Sequence, residues 1–117
     1  MKPDDLKKRT KAFGISLIRL VEKLPQTRSN NLIGNQLLRA GMSVGANYRA
    51  GCRARSRADF IAKMKIVEEE CDETLYWLEL LQETGQTSDP ALETLRGEGC
   101  EILSIMVASI KTARLHT

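Results

Sequence analysis

Residues 56–85, SRADFIAKMKIVEEECDETLYWLELLQETG, decide the fold. Phe60, Met64, Val67, Cys71, Thr74, Leu78 and Leu81 follow one another in steps of four and three, the period of one face of an α-helix. Ser56, with Asp59 three residues on, gives a start signal of the capping-box kind, and Gly85 supplies a terminating glycine. The spacing predicts a helix over about 57–84. Such a stripe is stable only when other helices cover it.

Outward from this segment the same rhythm recurs. Upstream, Ile33, Leu37, Ala40, Val44, Asn47 and Gly51 mark a helix over about 30–52, with Ser29 as its expected N-cap. A second stripe there is Leu38, Gly41, Gly45, Tyr48 and Cys52. Eight of the fifteen residues from Ala40 to Ala54 are Gly, Ala or Ser, which predicts close approach of another backbone. Further upstream, Leu6, Thr10, Phe13, Leu17, Leu20 and Leu24 predict a helix over about 4–24, stopped by Pro25. Downstream, Ser88-Asp89-Pro90 opens a helix over about 90–114, with Leu92, Leu95, Gly99, Ile102, Met106 and Ser109 on its stripe. Four helices joined by short loops predict an all-α, up-down-up-down four-helix bundle, a single domain spanning 1–117.

The chain of 117 residues is 42% apolar and 28% charged, with five aromatics and three prolines. That supply is poor for an all-β domain. The start, MKPDDLKKRT, carries no apolar run of the signal-peptide kind, and no stretch is apolar enough to span a membrane. Cys52, Cys71 and Cys100 are odd in number and form no CxxC pair, so they read as reduced, buried thiols of a cytoplasmic protein. A single histidine, His116, excludes the usual zinc and di-iron constellations. With no nucleophile elbow and no P-loop, neither an enzyme nor a cofactor is indicated.

The net charge of +3 hides a split. Residues 1–65 carry fifteen Lys/Arg and four Asp/Glu, whereas residues 66–117 carry three and eleven. Arg49, Arg53, Arg55, Arg57, Lys63 and Lys65 form a basic run interrupted only by Asp59, and seven acids without a base lie between Glu68 and Glu83. This order along the third helix opposes its dipole, so partners for both runs are expected, within the bundle or across subunits. Packing the two halves together predicts that most charges cancel internally. Arg49, Arg53, Arg55 and Arg57, with Lys7, Lys8 and Lys11, are the candidate residues for nucleic-acid or partner binding. Any RNA or DNA contact would be to the backbone, since no aromatics interleave with these cations. Ser43, Asn47 and Glu73 are a candidate buried polar motif that fixes helix register. Tyr76, Trp77 and Leu80 widen the third helix's apolar surface beyond one face, which points to a subunit interface and hence to the chain itself as a partner.

Leu37-Leu38-Arg39-Ala40, Ser43-Val44-Gly45-Ala46-Asn47-Tyr48, then Arg53, Ser56, Arg57 and Phe60, and finally Glu73-Thr74-Leu75-Tyr76-Trp77-Leu78 resemble the four-helix-bundle proteins encoded in intervening sequences of bacterial large-subunit ribosomal RNA genes. The chain is also similar to the accessory variability proteins of diversity-generating retroelements. The resemblance implies a left-handed bundle assembled as a ring-like homopentamer. The second of these groups implies nucleic-acid binding. The common Asn-Ile-x-Glu-Gly segment reads Asn47-Tyr48-Arg49-Ala50-Gly51 here, with Ala where Glu is usual.

Overall fold

The computed structural model describes residues 1–116. Four helices account for most of them: α1 Pro3–Glu22, α2 Arg28–Gly51, α3 Arg57–Glu83 and α4 Ala91–Leu115. No strand occurs among the described residues. Each boundary has a local cause. Pro3 occupies the first turn of α1, where its missing N–H costs nothing, and Asp4 and Asp5 complement the dipole there. The cap of α2 is Thr27 rather than Ser29: its Oγ1 accepts the Asn30 N–H at 3.1 Å. Asn30 itself is buried and donates back to the Pro25 carbonyl at 2.9 Å. That bond ties the loop down and draws the helix start two residues earlier than the stripe alone suggests. Ser56 caps α3 by accepting the Asp59 N–H at 3.0 Å. At the other end Gly85, at φ +65°, lets the Gln86 and Gly85 N–H groups bond back to the Leu81 and Gln82 carbonyls. The Asp89 carboxylate accepts the Ala91 N–H at 3.0 Å and so serves α4.

The helices pack in a square. Each lies against its neighbours in sequence, α4 returns against α1, and the diagonal pairs make no close approach. Gly45 of α2 lies against Thr10 of α1 and Gly34 against Val21, so these two helices run in opposite directions. A Cβ at Gly45 would stand 3.3 Å from the Thr10 carbonyl oxygen, which is why this seam uses residues without side chains. Phe13, Leu17, Leu37, Val44, Met64, Val67, Leu78, Ile102 and Met106 are almost wholly buried. Each contributes roughly 1.5–3 kcal/mol through removal from water. On α4 the stripe closes on Ile110, since Ser109 is half-buried and donates to the Ile105 carbonyl.

The cysteines separate. Only Cys71 is buried; Cys52 is half-buried and Cys100 exposed, because Cys100 follows the inward-facing Gly99 and so turns outward. Burial pushes the Cys71 thiol up to about 12 from the ordinary 9.0, and the thiol donates to the Gly99 carbonyl at 3.2 Å.

Candidate functional site

The up-down topology gathers the charges by end rather than cancelling them. The start of α1, the end of α2, the start of α3 and the end of α4 meet at one end of a body 47 Å long and about 20 Å across. Residues 1–12, 44–67 and 102–116, which make up this end, carry thirteen Lys/Arg and three Asp/Glu. Residues 13–43 and 68–101 carry five and twelve.

Internal pairing is therefore much sparser than the sequence suggested. Of the fifteen cations in residues 1–65, only Lys7, Arg9, Lys23 and Arg39 form ion pairs among the described residues. Arg9 binds Glu98 through both Nε and Nη2 at 2.7 Å and reaches Glu101 at 3.2 Å. These bonds, Glu98's first, hold its guanidinium more firmly protonated than usual. Among the described residues no ion pair engages Lys8, Lys11, Arg49, Arg53, Arg55, Arg57, Lys63 or Lys65. The physical reason is distance along the axis: apart from Asp59 in its first turn, the acids of α3 begin at Glu68, beyond the end where these cations lie.

The seven candidate cations fall into two sets. Arg53, Arg55 and Arg57 are exposed on the corner between α2 and α3. Arg57 also borders, with Lys7, an open cleft of about 1100 Å³ whose walls include Leu6, Tyr48, Phe60 and Ile105. Lys7, Lys8, Lys11 and Arg49 instead line a groove of about 440 Å³ between α1 and α2. Its floor is Gly14, Gly45 and Ala46, continued by Ile15, Ile18 and Met42, which are 41%, 38% and 48% exposed.

The expected motif of Ser43, Asn47 and Glu73 forms only in part: Asn47 meets Ser43 one turn earlier, and Glu73 does not join them. Asn47 is half-buried and donates to the Ser43 carbonyl at 2.9 Å, and the Ser43 hydroxyl donates to the Arg39 carbonyl at 2.7 Å. Both bonds stay within α2, since a short polar side chain satisfies itself on the preceding turn. Glu73 pairs instead with Arg39, which also reaches Glu70 at 3.4 Å. The Trp77 indole N–H donates to Glu73 at 3.1 Å. The Trp77 bond, then that of Arg39, holds the Glu73 carboxyl below its ordinary 4.5. Sequence reasoning missed Arg39 and Arg9. A signal existed for Arg39: a lone cation in mid-α2 beside two acids three residues apart on α3.

Of the expected interface residues, Tyr76 is 53% exposed, whereas Trp77 and Leu80 are half-buried. The Tyr76 and Trp77 rings meet edge to face with centroids 5.1 Å apart. Trp77 is thus held by its own chain, and Tyr76 stands at the centre of the outward face of α3. Among the described residues no three metal-ligating side chains gather in one place, and no helix is long and apolar enough to cross a membrane.

Fold and surface define a class: an antiparallel four-helix bundle whose chemistry lies in polarised charge and exposed apolar strips. Within that class, the family model for the 23S rRNA-intervening sequence protein matches residues 4–108, and the chain belongs to this family. A crystal structure of a protein of unknown function from the S23 ribosomal protein family of Bacteroides thetaiotaomicron VPI-5482 is similar, with TM-score 0.86 and 35% identity over 95% of this chain and 99% of that one. No curated protein matches the sequence.

Proposed function

We propose that this protein is a non-enzymatic, cytoplasmic adaptor that assembles as a ring, a homopentamer of left-handed bundles, and holds nucleic-acid backbone on its basic end. The observation that carries the nucleic-acid reading is the set of unpaired, exposed Arg49, Arg53, Arg55 and Arg57, with Lys63 and Lys65 one to two turns further on. Guanidinium groups suit phosphate, and cations already desolvated by internal acids would not be free to bind it. The family description names 23S rRNA, so duplex RNA is the first probe. Binding should be tight at about 50 mM salt and fall by orders of magnitude by about 200 mM, as counterion release requires. Absence of binding at the lower salt would overturn this reading.

A second reading has a specific observation of its own. Among the described residues Glu69, Asp72 and Glu83 are exposed and form no ion pair, so the arginines could meet acids of another subunit in a purely structural assembly. In that case Arg53→Glu with Arg57→Glu changes the oligomer mass. If RNA is the partner instead, the mass stays constant and RNA binding is lost.

A further inference from the structure

We propose that the open cleft at the basic end binds a free long-chain carboxylate: one hydrocarbon chain with one anionic head. The cleft exists because short side chains gather where the helix ends meet. The end of α4 contributes Ala108, Thr112 and Ala113 to its walls, and the end of α2 contributes Gly51 and Ala54. The seam between α1 and α4 is also the least extensive of the four seams in the square. At about 1100 Å³ the space lies at the upper end of the range for small-molecule sites.

Charge and hydrogen bonding together select the ligand. Leu6, Tyr48, Phe60 and Ile105 make the walls largely apolar. Lys7 and Arg57 are the charged side chains among the described residues that line the cleft, and no acid lines it. Arg57 forms no ion pair among the described residues. Lys7 reaches Asp4 at 3.7 Å, but that carboxylate is 88% exposed, so the pair is weak. The wall hydroxyls are mostly engaged: Ser56 caps α3, Ser109 donates to the Ile105 carbonyl at 2.8 Å, and Tyr48 bonds with Cys52. The surrounding backbone is mostly helical, with its N–H and C=O groups bonded within their own helices. A peptide laid here would therefore bury amide groups with few partners, and a nucleic-acid strand has no apolar body to fill the walls. A carboxylate on a hydrocarbon chain meets both conditions. The Arg57 guanidinium takes the head, and the apolar walls take the chain.

The test uses the full chain with the exposed Cys100 changed to Ser, which leaves Cys52, on the cleft wall, as the accessible thiol beside the buried Cys71. Decanoate, below its micelle concentration, is followed by calorimetry and by the rate of Cys52 alkylation. It is expected to bind saturably, one per chain, and to slow Cys52 alkylation with the same dissociation constant. Decanol and decylammonium should bind at least about tenfold more weakly. Each methylene added from octanoate to dodecanoate should tighten binding by up to about fourfold. Arg57→Ala should weaken decanoate by about tenfold or more. Ala108→Trp, at an exposed position on the cleft wall, should abolish binding by filling the space, and Arg19→Ala, away from the cleft, should change nothing. Absence of saturable binding overturns the proposal. So does binding that leaves Cys52 unprotected, that neither cleft variant weakens, that decanol equals, or that does not strengthen with chain length. Protection of Cys52 by an acidic amphipathic peptide but not by decanoate, or by a higher protein concentration alone, would give the cleft to another chain and overturn the proposal as well.

Discussion

The two ends of the bundle are built from the same helices and treat charge in opposite ways. At the acidic end cations are few and mostly engaged: Lys23 meets Asp89 at 3.8 Å, Arg96 meets Glu93 and Gln82, and Arg39 meets Glu70 and Glu73. At the basic end cations outnumber acids by more than four to one, and those of the α2–α3 corner form no ion pair among the described residues. The first end resembles an ordinary solvated surface, in which ion pairs contribute little. The second accumulates mutual repulsion that the Lys7–Asp4 and Arg9–Glu98 pairs relieve only in part, an arrangement that favours an external polyanion.

That contrast can be broken in several ways, and the largest concerns what the ends share. Leu37 is fully buried at mid-height. Leu37→Ala should cost about 2–5 kcal/mol through lost burial and the cavity left behind. Calorimetry should show one transition; two would divide the molecule at its charge boundary. Next in size is the difference between a paired and an open arginine. Arg9→Ala, which strands the part-buried Glu98, should cost about 1–2 kcal/mol in urea unfolding, whereas Arg53→Ala should stay within about 0.5 kcal/mol. Equal losses would mean that Arg53 has a partner after all.

A third contrast uses one substitution at two glycines. Gly97, in α4, has open space where a Cβ would lie, and Gly45 has the Thr10 carbonyl oxygen at 3.3 Å. Gly97→Ala should raise stability by up to about 1 kcal/mol through helix propensity. Gly45→Ala should lose that gain or reverse it, because a backbone cannot step aside as a side chain does. The smallest effect lies in pH. The Glu73 carboxyl titrates below its ordinary 4.5 in the folded protein, so its contribution is complete above that value and disappears as pH falls below it. Glu73→Gln should therefore flatten the acid limb of stability slightly and leave neutral-pH stability little changed. An unaltered acid limb would show that the Trp77 and Arg39 bonds do not persist in solution.

Much of the architecture was legible because helical periodicity is a local signal. The stripe of α3 is buried at Met64, Val67, Cys71, Thr74, Leu78 and Leu81, and the small residues of α2 do meet a backbone at Gly45. What sequence reasoning misjudged depends on relations between elements. Asn47 looked buried because it shares a stripe with Val44, yet between Val44 and Gly51 the buried position is Tyr48 beside it. Net charge suggested cancellation because it ignores position along the axis, whereas the topology sets bases and acids at different heights. The division of Lys7, Lys8 and Lys11 from Arg53, Arg55 and Arg57 could not be read without knowing that α1 and α2 leave a groove between them.

The most direct test of the polarised-charge reading compares two variants that remove the same formal charge at opposite ends. Arg53→Ala/Arg55→Ala/Arg57→Ala and Arg19→Ala/Lys23→Ala/Arg28→Ala each take the net charge from +3 to zero. For duplex RNA, the slope of log affinity against log salt should fall by about one unit per lost phosphate contact, so by about two to three units in the first variant. In the second it should match the unaltered protein. Equal slopes in the two variants would contradict the reading, since net charge rather than the basic end would then govern binding.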